Sequence, residues 1–290
     1  MNIWFERLDR RHCFDWMPDS WYLRMKYKQC MGYALNLSNP KTFNEKLQWL
    51  KLHDRKPEYT MMVDKYAVRK YIADTIGEEY LIPLLGVWDN PDDIDFDALP
   101  NQFVLKCNHN SGLGMCICKD KAKLDIAKVK AELRKGLKQD YYLTCREWPY
   151  KNVKRRIIAE KYMSDEGNEE LSDYKVLCFN GEPKLIEVHK GRFYGNHTAD
   201  NYDESWNKTD IEQYDLPKSD KIMPKPVFLE EMLHLSKLLS KNLIHVRVDW
   251  YFTNNRLYFG ELTFFDGSGY NLFCGDADGL LGSWIKLPNK

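Results

Sequence analysis

The strongest constraint on the fold is a hairpin signature in the last fifth of the chain. Residues 245–252 and 256–264 are both rich in β-branched and aromatic side chains, which favour strands. The sequence Thr-Asn-Asn at 253–255 separates them, and asparagine tolerates the left-handed backbone that a tight hairpin needs. The segment therefore predicts two antiparallel strands in direct contact.

Alternation within these strands places several polar side chains on one face. Arg247 and Asp249 share a face of the first strand, and Glu261 and Thr263 share a face of the second. Closure of the hairpin brings Asp249 within a few residues of being opposite Glu261. Two carboxylates on a buried face repel each other unless a cation lies between them, and hard oxygen ligands suit Mg²⁺. Arg247 could neutralise an anionic substrate. The alternative is a solvated sheet face, where acidic and basic residues commonly alternate.

A second informative pattern is a strand, a glycine-containing loop and another strand. Residues 102–107 and 115–119 predict the strands, and residues 108–114 predict the loop. Small loop residues let backbone amides approach phosphate oxygens, and Lys106 would add a positive charge beside them. The pattern is not a Walker loop, because G-x-x-x-x-G-K-[ST] is absent and a strand follows the loop. A plain hairpin loop is the alternative.

A third segment, residues 155–163, predicts an apolar strand that ends in a charged sequence. A strand end of this kind can form a hinge around a flat heterocycle, with backbone groups facing the edge of the ring. Tyr162 and Met163 could then flank the face of the ring.

The rest of the chain predicts a mixed α and β protein. A capping box at residues 42–45 starts one helix, and the turn Asn-Gly at 180–181 joins two strands within residues 173–189. The polar residues 191–226 predict a lid or a recognition loop, since structureless loops of this length are usually functional. Helices are predicted at residues 43–52, 64–76, 124–138, 227–243 and 276–290.

The first 38 residues carry many aromatic side chains. We expect short helices that pack these rings on the main body, and a docking surface is the alternative. The aromatic residues are Trp4, Phe5, Phe14, Trp16, Trp21, Tyr22 and Tyr27.

Charge and composition exclude several classes of protein. The 43 Lys and Arg residues balance the 43 Asp and Glu residues, so no overall field favours nucleic acid or an anionic membrane. No stretch approaches the roughly 18 apolar residues of a membrane span, and the charged first ten residues do not resemble a secretory signal. The eight cysteines lack zinc-site spacing and are expected to be reduced. We therefore expect a cytoplasmic protein that binds no nucleic acid and has no transmembrane segment.

These stretches, taken in order, resemble the ATP-grasp superfamily, and in particular its TupA-like branch, named for teichuronopeptide biosynthesis. The resemblance covers the chain from about residue 27 onward. It implies an α+β ATP-grasp fold, in which two α+β subdomains sandwich a nucleotide, with an N-terminal helical extension. The motifs that carry it are residues 37–50, 64–66, 103–109, 179–181 and 245–249.

The resemblance also implies boundaries and nucleotide contacts. Residues 1–100 would form an N-terminal helical and α+β region, residues 101–163 a lid subdomain, and residues 164–290 a C-terminal subdomain with the Mg²⁺-binding hairpin. Lys106 would contact the phosphates of ATP, and Asp173 stands where the family usually has a ribose-binding Glu. The loop that closes on the phosphates would use Ser111, Gly112 and Gly114. The adenine hinge would consist of Glu160, Lys161, Tyr162 and Met163.

The hairpin would carry the catalytic chemistry in this resemblance. Arg247 would stabilise an oxyanion, and Asp249, Glu261 and Thr263 would hold Mg²⁺. Thr263 departs from the Glu-x-Asn pattern of the family. Residues 267–269, Gly-Ser-Gly, resemble its small-residue anion loop without the usual Pro.

The implied activity is an ATP- and Mg²⁺-dependent carboxylate–amine ligase that acts through an acyl phosphate. Its partners would be a small molecule or saccharide with a carboxylate and an amine acceptor, in cell-surface polysaccharide or peptidyl-polysaccharide synthesis. Asp249→Ala or Glu261→Ala is expected to abolish ATP turnover and leave the fold intact.

Two other functions remain open at this point, a glycosyltransferase that uses a nucleotide-sugar and a non-catalytic binding protein. Some side chains are candidates by chemistry alone. These are His109 and His189 as general bases, and Tyr194, Tyr202 and Trp206 as platforms for sugars.

Overall fold

The computed structural model describes residues 3–164, 172–191, 197–219 and 222–288. Helices and strands are mixed along the chain, which confirms the predicted α+β class. The helices are Ile3–Arg10 (α1), Asp19–Met31 (α2), Phe43–His53 (α3), Glu58–Val63 (α4), Val68–Thr75 (α5), Ile126–Lys138 (α6), Tyr141–Cys145 (α7), Leu229–Leu239 (α8) and Ala277–Trp284 (α9). The strands are Leu84–Trp88 (β1), Phe103–Cys107 (β2), Met115–Cys118 (β3), Ile157–Lys161 (β4), Asp173–Phe179 (β5), Glu182–Lys190 (β6), Thr198–Tyr202 (β7), His245–Thr253 (β8) and Arg256–Thr263 (β9).

The strands form two antiparallel sheets. The smaller sheet has the order β1-β4-β2-β3, and the larger sheet has the order β7-β6-β5-β8-β9. The smaller sheet takes β1 from the range predicted as the N-terminal region, and the boundaries at residues 100 and 163 stay predictions. Of the helices described, none is long and apolar enough to cross a membrane.

Each sheet has its own hydrophobic core. In the smaller sheet, buried residues such as Phe103 and Ile157 pack against Leu133 of α6. In the larger sheet, α8 covers β5, β6 and β8, and the N-terminal helices add Phe43 and others to the same core. The two sheets are therefore separately supported, and polar groups can lie between them.

Local sequence signals explain the element boundaries. The side chain of Thr42 accepts from the backbone N–H of Glu45, and the Glu45 side chain accepts from the backbone N–H of Thr42, so the predicted capping box starts α3. Asn254 and Asn255 both have positive φ, at 50° and 57°, which is the conformation that a two-residue hairpin turn requires. The predicted β8–β9 hairpin is thereby confirmed.

Two sequence expectations differ from the structure. The sequence predicts an irregular segment at residues 191–226, but this segment contains β7, which pairs with β6. Its short polar sequence, Thr-Ala-Asp-Asn-Tyr, gives no alternating apolar pattern, so the strand is set by its neighbour. The N-terminal aromatic residues also divide into two groups: Phe5, Tyr22 and others are buried as expected, whereas the three tryptophans of this region are exposed.

Candidate active site

The β8–β9 hairpin brings the predicted polar residues to one face of the larger sheet. The register pairs Asp249 with Glu261 and Arg247 with Thr263. The register shifts directly after Asp249, where Gly260 is the additional residue of β9. A bulge of this kind redirects neighbouring side chains. The four predicted side chains therefore lie together beside the bulge.

The guanidinium of Arg247 is the centre of this cluster. Its Nε and Nη2 each donate to Asp249 at 2.7 Å, and Nη2 also donates to Oγ1 of Thr263 at 3.2 Å. Nη1 donates to Asp266, and Oε1 of Glu261 lies 3.5 Å from Nη2. Burial alone would lower the pKa of Arg247, but the carboxylates of Asp249 and Asp266 raise it well above its usual value. Arg247 is therefore a permanent charge that holds three carboxylates together.

Two lysines add positive charge to this cluster. Lys175 on β5 pairs in register with Asp249, and its Nζ lies 2.9 Å from the carboxylates of both Asp249 and Asp173. Lys65, between α4 and α5, places its Nζ 3.0 Å from Glu261. Burial would lower the pKa of Lys175, but Asp249 raises it, so the lysine stays charged. Within the described part of the chain, three cationic side chains thus face four carboxylates.

The two carboxylates of the hairpin fit Mg²⁺ in ligand type. Burial works to raise the pKa of Glu261, but Lys65 and Arg247 hold it well below its ordinary value, so this carboxylate is ionised at neutral pH. No group of three or more His, Cys, Asp or Glu side chains is arranged for a metal among residues 3–164, 172–191, 197–219 and 222–288. Mg²⁺ commonly takes one or two protein carboxylates and completes its shell with phosphate oxygens and water. Asp249 and Glu261, with Oγ1 of Thr263 3.4 Å from Glu261, match that need.

The predicted phosphate lysine lies on the smaller sheet and faces the same region. The Nζ of Lys106 is 2.6 Å from Glu160, and Arg69 of α5 is 3.6 Å from the same carboxylate. The pKa of Tyr251 on β8 is raised well above its usual value by burial and then by nearby carboxylates, of which Asp173 contributes most and Glu160 is one. Glu160 is therefore the carboxylate that Lys106 of the smaller sheet and Arg69 of α5 share.

The predicted phosphate loop lies beside Lys65. The Nζ of Lys65 donates to the carbonyl of Asn110 at 3.2 Å and also contacts Glu261. Lys65 thus connects the loop after β2 to a predicted metal carboxylate. Of the loop residues predicted to bind phosphate, Ser111 and Gly112 are exposed and Gly114 is buried.

The predicted adenine hinge is the end of β4 and the residues after it. Lys161 is exposed, and its backbone N–H donates at 2.9 Å to a carbonyl just before β1. Tyr162 and Met163 are half-buried. Oγ1 of Thr253 donates to the carbonyl of Ser164 at 2.9 Å. The hinge is therefore attached to the end of β8, on the larger sheet.

The loop after β9 contains three consecutive left-handed residues. Gly267, Ser268 and Gly269 have φ of 50°, 55° and 67°. A Cβ atom on Gly267 would lie 1.8 Å from Asn271, and one on Gly269 would lie 2.5 Å from Gln48. The positive φ and these close contacts therefore favour glycine at both positions. Successive backbone N–H groups in tight turns can form concave anion sites, which is consistent with the predicted anion loop.

Buried charges from the N-terminal half hold this loop. Lys51 of α3 is fully buried, and its Nζ donates to the carbonyls of Ser268 at 2.8 Å and Cys145 at 2.9 Å. Burial lowers the pKa of Lys51 to about 8. Glu147 accepts a hydrogen bond from the hydroxyl of Ser268, and burial raises the pKa of this carboxyl. Ser268 is therefore fixed from two sides.

Replacing Lys51 by methionine tests this attachment. The variant keeps much of the side-chain volume but removes the donor to the carbonyl of Cys145 and one of the two donors to the carbonyl of Ser268, which keeps Gln48. We therefore expect the free energy of unfolding to fall by about 1–3 kcal/mol. We expect ATP turnover to fall with it. Chemical denaturation and an ADP-release assay measure the two quantities. Lys41→Met is the control, because Lys41 is exposed; equal stability of the two variants would contradict the attachment.

Sequence reasoning missed Lys65, Lys175, Asp266 and Lys51. One of them had a usable signal. Lys175 is a charged residue inside an otherwise apolar strand, two positions after Asp173, so both lie on one face and a buried partner is required. Lys65 lies in the family motif at residues 64–66, but its partner could not be predicted, because its contact with Glu261 joins segments almost 200 residues apart in sequence.

The two histidine candidates have structural surroundings. His109 is buried, its Nε2 lies 3.1 Å from the carbonyl of Gln139, and burial lowers its pKa. Nδ1 of His189 lies 3.0 Å from Nε2 of His197. Neither is in contact with the carboxylate cluster described above, so neither is proposed as the general base.

The aromatic candidates for sugar stacking are also occupied. Tyr202 and Trp206 stack on each other with ring centroids 4.3 Å apart, and both are buried. They therefore offer no face to a sugar. Tyr194 lies outside the described residues.

The fold has two sheets, each with its own core. One carries a lysine and a glycine-containing loop, and the other carries a hairpin with an arginine and carboxylates, an arrangement typical of the ATP-grasp class. The sequence profile described as TupA-like ATPgrasp matches residues 45–286. The chain therefore belongs to the TupA-like ATP-grasp family, as its motifs predicted. No curated protein sequence matches the chain.

Several solved ligase structures are similar to the chain at low identity. D-alanine–D-alanine ligase from Bacillus anthracis is 17% identical over 70% of this chain and 57% of that chain, with a TM-score of 0.41. The corresponding enzyme from Helicobacter pylori is 16% identical over 84% of this chain and 69% of that chain, with a TM-score of 0.44. The ATP-grasp ligase PsnB, complexed with a minimal precursor, is 9% identical over 76% and 60%, with a TM-score of 0.40. The chain spans little more than half the length of the Bacillus anthracis ligase.

Proposed function

We propose that the protein is an ATP- and Mg²⁺-dependent carboxylate–amine ligase that acts through an acyl phosphate. The observation that carries this proposal is the cluster of Arg247, Asp249 and Glu261 on one hairpin, joined by Lys65 to the loop after β2. Family membership supports the general class. The finer assignments below rest on the positions of individual side chains.

The nucleotide would lie between the two sheets. Lys106 and the loop residues Ser111, Gly112 and Gly114 would contact its phosphates, since the loop adjoins Lys65 and the carboxylate cluster. The strand end from Glu160 to Met163 would hold the adenine, and Asp173 would bind the ribose. Asp249 and Glu261, with Thr263 beside them, would hold Mg²⁺, which when bound offsets the charge of the phosphates.

In the first step, the carboxylate of one substrate would attack the γ-phosphorus of ATP to give an acyl phosphate and ADP. The amine of the second substrate would then attack the acyl carbon, and phosphate would leave. Arg247 has five N–H groups, of which four make the hydrogen bonds described above. The second N–H of Nη1 would stabilise the tetrahedral oxyanion.

We also propose that this reaction belongs to cell-surface polysaccharide or peptidyl-polysaccharide synthesis. The resemblance to the teichuronopeptide branch supports this assignment, with a small molecule or saccharide as the source of the carboxylate or the amine. All eight cysteines are free thiols, which supports action in the reducing cytoplasm.

Thermal unfolding with ATP, ADP and a panel of nucleotide-sugars, each with and without Mg²⁺, tests the nucleotide assignment. A ligand that binds the native state alone adds about 2.7 kcal/mol of stability at a hundredfold excess over its Kd. We expect a Mg²⁺-dependent rise of the midpoint with ATP and ADP. A rise with a nucleotide-sugar and none with ATP would replace the ligase with a glycosyltransferase, and no rise with any of these would favour a non-catalytic binding protein.

A further inference from the structure

The N-terminal helices expose large apolar side chains that the proposed reaction does not use. Trp4, Trp16 and Trp21 are 71%, 73% and 65% exposed. Ile3 and Leu8 are exposed as well. We name these five residues the N-terminal aromatic surface. It precedes residue 45, where the match to the TupA-like family begins, so the family site does not account for it.

The outward face of helix α1 carries bulky apolar side chains beside Arg7. With 3.6 residues per turn, Ile3, Trp4 and Leu8 share one side of the helix. On the opposite side, Phe5 stacks on Phe14 at 5.3 Å, and Asp9 accepts a hydrogen bond from a buried tyrosine of α2. The inward side therefore includes a charged residue, whereas bulky apolar groups remain in solvent. Exposed apolar side chains do not stabilise a protein in water. A group of them on one face is typical of an interaction surface.

The charges around these tryptophans are unbalanced in the positive direction. The carboxylates of α1, α2 and the turn between them are all engaged by a cation or a histidine, in the pairs Glu6–Arg10, Asp9–Lys26, Asp15–His12 and Asp19–Arg55. Arg7, Arg11 and Lys28 are exposed and make no ion pair among the described residues. Arg7 lies 5.6 Å from the ring centre of Trp4. The unpaired charge of this surface is therefore cationic.

One tryptophan lies in a shallow groove with cationic walls. The groove is lined by Trp21, Arg24, Met25, Lys28, Ala34 and Leu35. Trp21, Arg24 and Lys28 are three and four residues apart on α2, so they share one face of that helix. This arrangement complements a phospholipid: the apolar ring would contact the acyl chains, and the two cations would contact the phosphate headgroups.

We propose that the N-terminal aromatic surface docks the enzyme on a membrane leaflet that contains anionic phospholipids. Tryptophan prefers the boundary between headgroups and acyl chains, and each basic residue near an anionic leaflet strengthens binding by about fivefold. Unpaired cations among exposed tryptophans complement such a leaflet, and an acidic protein partner would not require bulky side chains distributed over two helices and a turn. Docking is peripheral, since no described helix can span a membrane.

Sedimentation of the full chain with phosphatidylcholine vesicles, with and without phosphatidylglycerol, tests this docking. We expect binding to increase with phosphatidylglycerol and to fall with added salt. Trp4→Ser/Trp16→Ser/Trp21→Ser and Arg7→Glu/Arg11→Glu/Lys28→Glu should each reduce the bound fraction by at least about tenfold. The matched control is Tyr214→Ser/Val227→Ser, because these residues are 82% and 90% exposed but lie elsewhere, and it should bind like the wild type.

Several outcomes would overturn the proposal. Absence of vesicle binding would do so, as would variants of the aromatic surface that bind as well as the control. Binding that is independent of phosphatidylglycerol would refute the anionic leaflet. A dimer in size-exclusion chromatography that is lost in the tryptophan variant would show that a second copy of the chain occupies the surface. Unfolding midpoints equal to that of the wild type establish that the variants are folded, and the ligase assay reports separately on the proposed reaction.

Discussion

Asp249→Asn and Glu261→Gln will each lower the rate of ATP turnover by at least about a hundredfold, as expected when an electrostatic element of a catalytic site is removed. Both substitutions keep the shape of the side chain and remove its negative charge. A neutral amide is a weaker ligand for Mg²⁺ than a carboxylate, so the cation that offsets the phosphate charge would be held less tightly. An ADP-release assay measures the loss.

The same two variants have a second readout that does not depend on the chemical step. Isothermal titration with ADP, in the presence and absence of Mg²⁺, should show that Mg²⁺ strengthens binding to the wild type and has little effect on the variants. Asp200→Asn is the matched control. Asp200 on β7 is also a buried carboxylate with a lysine partner, since it lies 2.7 Å from Nζ of Lys208. Turnover that persists in Asp249→Asn, or that falls equally in Asp200→Asn, would refute the metal assignment.

The conservative substitution matters because the sequence alone suggested that alanine at Asp249 would leave the fold intact. Asp249 is 3% exposed and is the shared partner of Arg247 and Lys175. Its removal takes one carboxylate from each of these two buried cations, which keep Asp173, or Asp266 and Glu261, as partners. Breaking a buried pair in this way costs up to about 3–5 kcal/mol. Alanine would therefore confuse loss of chemistry with loss of fold, whereas asparagine retains hydrogen-bonding capacity.

Features governed by local periodicity were predictable from the sequence. Strand alternation and the Asn-Asn turn fix which side chains of the β8–β9 hairpin share a face, so the proximity of Asp249 and Glu261 followed from the chain itself. The structure sharpens this to direct opposition, because the bulge at Gly260 absorbs one residue. The capping box of α3 was readable for the same reason, since all of its groups lie within four residues.

Features governed by long-range packing were not predictable. The sequence predicts a cation between Asp249 and Glu261 and favours Mg²⁺, and the structure in addition places Lys175 and Lys65 beside these carboxylates. Lys175 arrives from a neighbouring strand and Lys65 from the segment before α5, and no spacing rule links them to the hairpin. The buried Lys51 was likewise hidden, because its partners at Cys145 and Ser268 are distant in sequence. Charge balance in a buried site is a property of the assembled fold.

Arg247→Met will lower the free energy of unfolding at neutral pH by about 3–5 kcal/mol, the typical cost of removing one member of a buried ion-pair network. Arg247 contacts Asp249, Asp266 and Glu261, and methionine offers none of them a hydrogen bond. Lys175 and Lys65 remain, but neither pairs with Asp266 among the described residues. Urea denaturation measures the difference, and Arg134→Met, which removes a half-exposed partner of Asp92, should change stability by about 1 kcal/mol or less.

The dependence of this difference on pH separates an electrostatic cause from a packing defect. In the wild type, burial works to raise the pKa values of Glu261 and Asp266, but Arg247, with Lys65 at Glu261, holds them below their ordinary values of 4.5 and 3.8. A carboxylate with a depressed pKa adds stability above its unfolded pKa, and this stability is lost as the pH falls through the folded pKa. In Arg247→Met, the guanidinium no longer opposes the effect of burial on Asp266. Protonation of Asp266 therefore removes an unfavourable buried charge from the variant, whereas in the wild type it breaks a favourable ion pair. The difference in unfolding free energy should therefore be constant near neutral pH and shrink as the pH falls toward and below about 4. A difference that stays constant down to pH 3 would mean that lost packing, rather than the paired charge, accounts for the destabilisation.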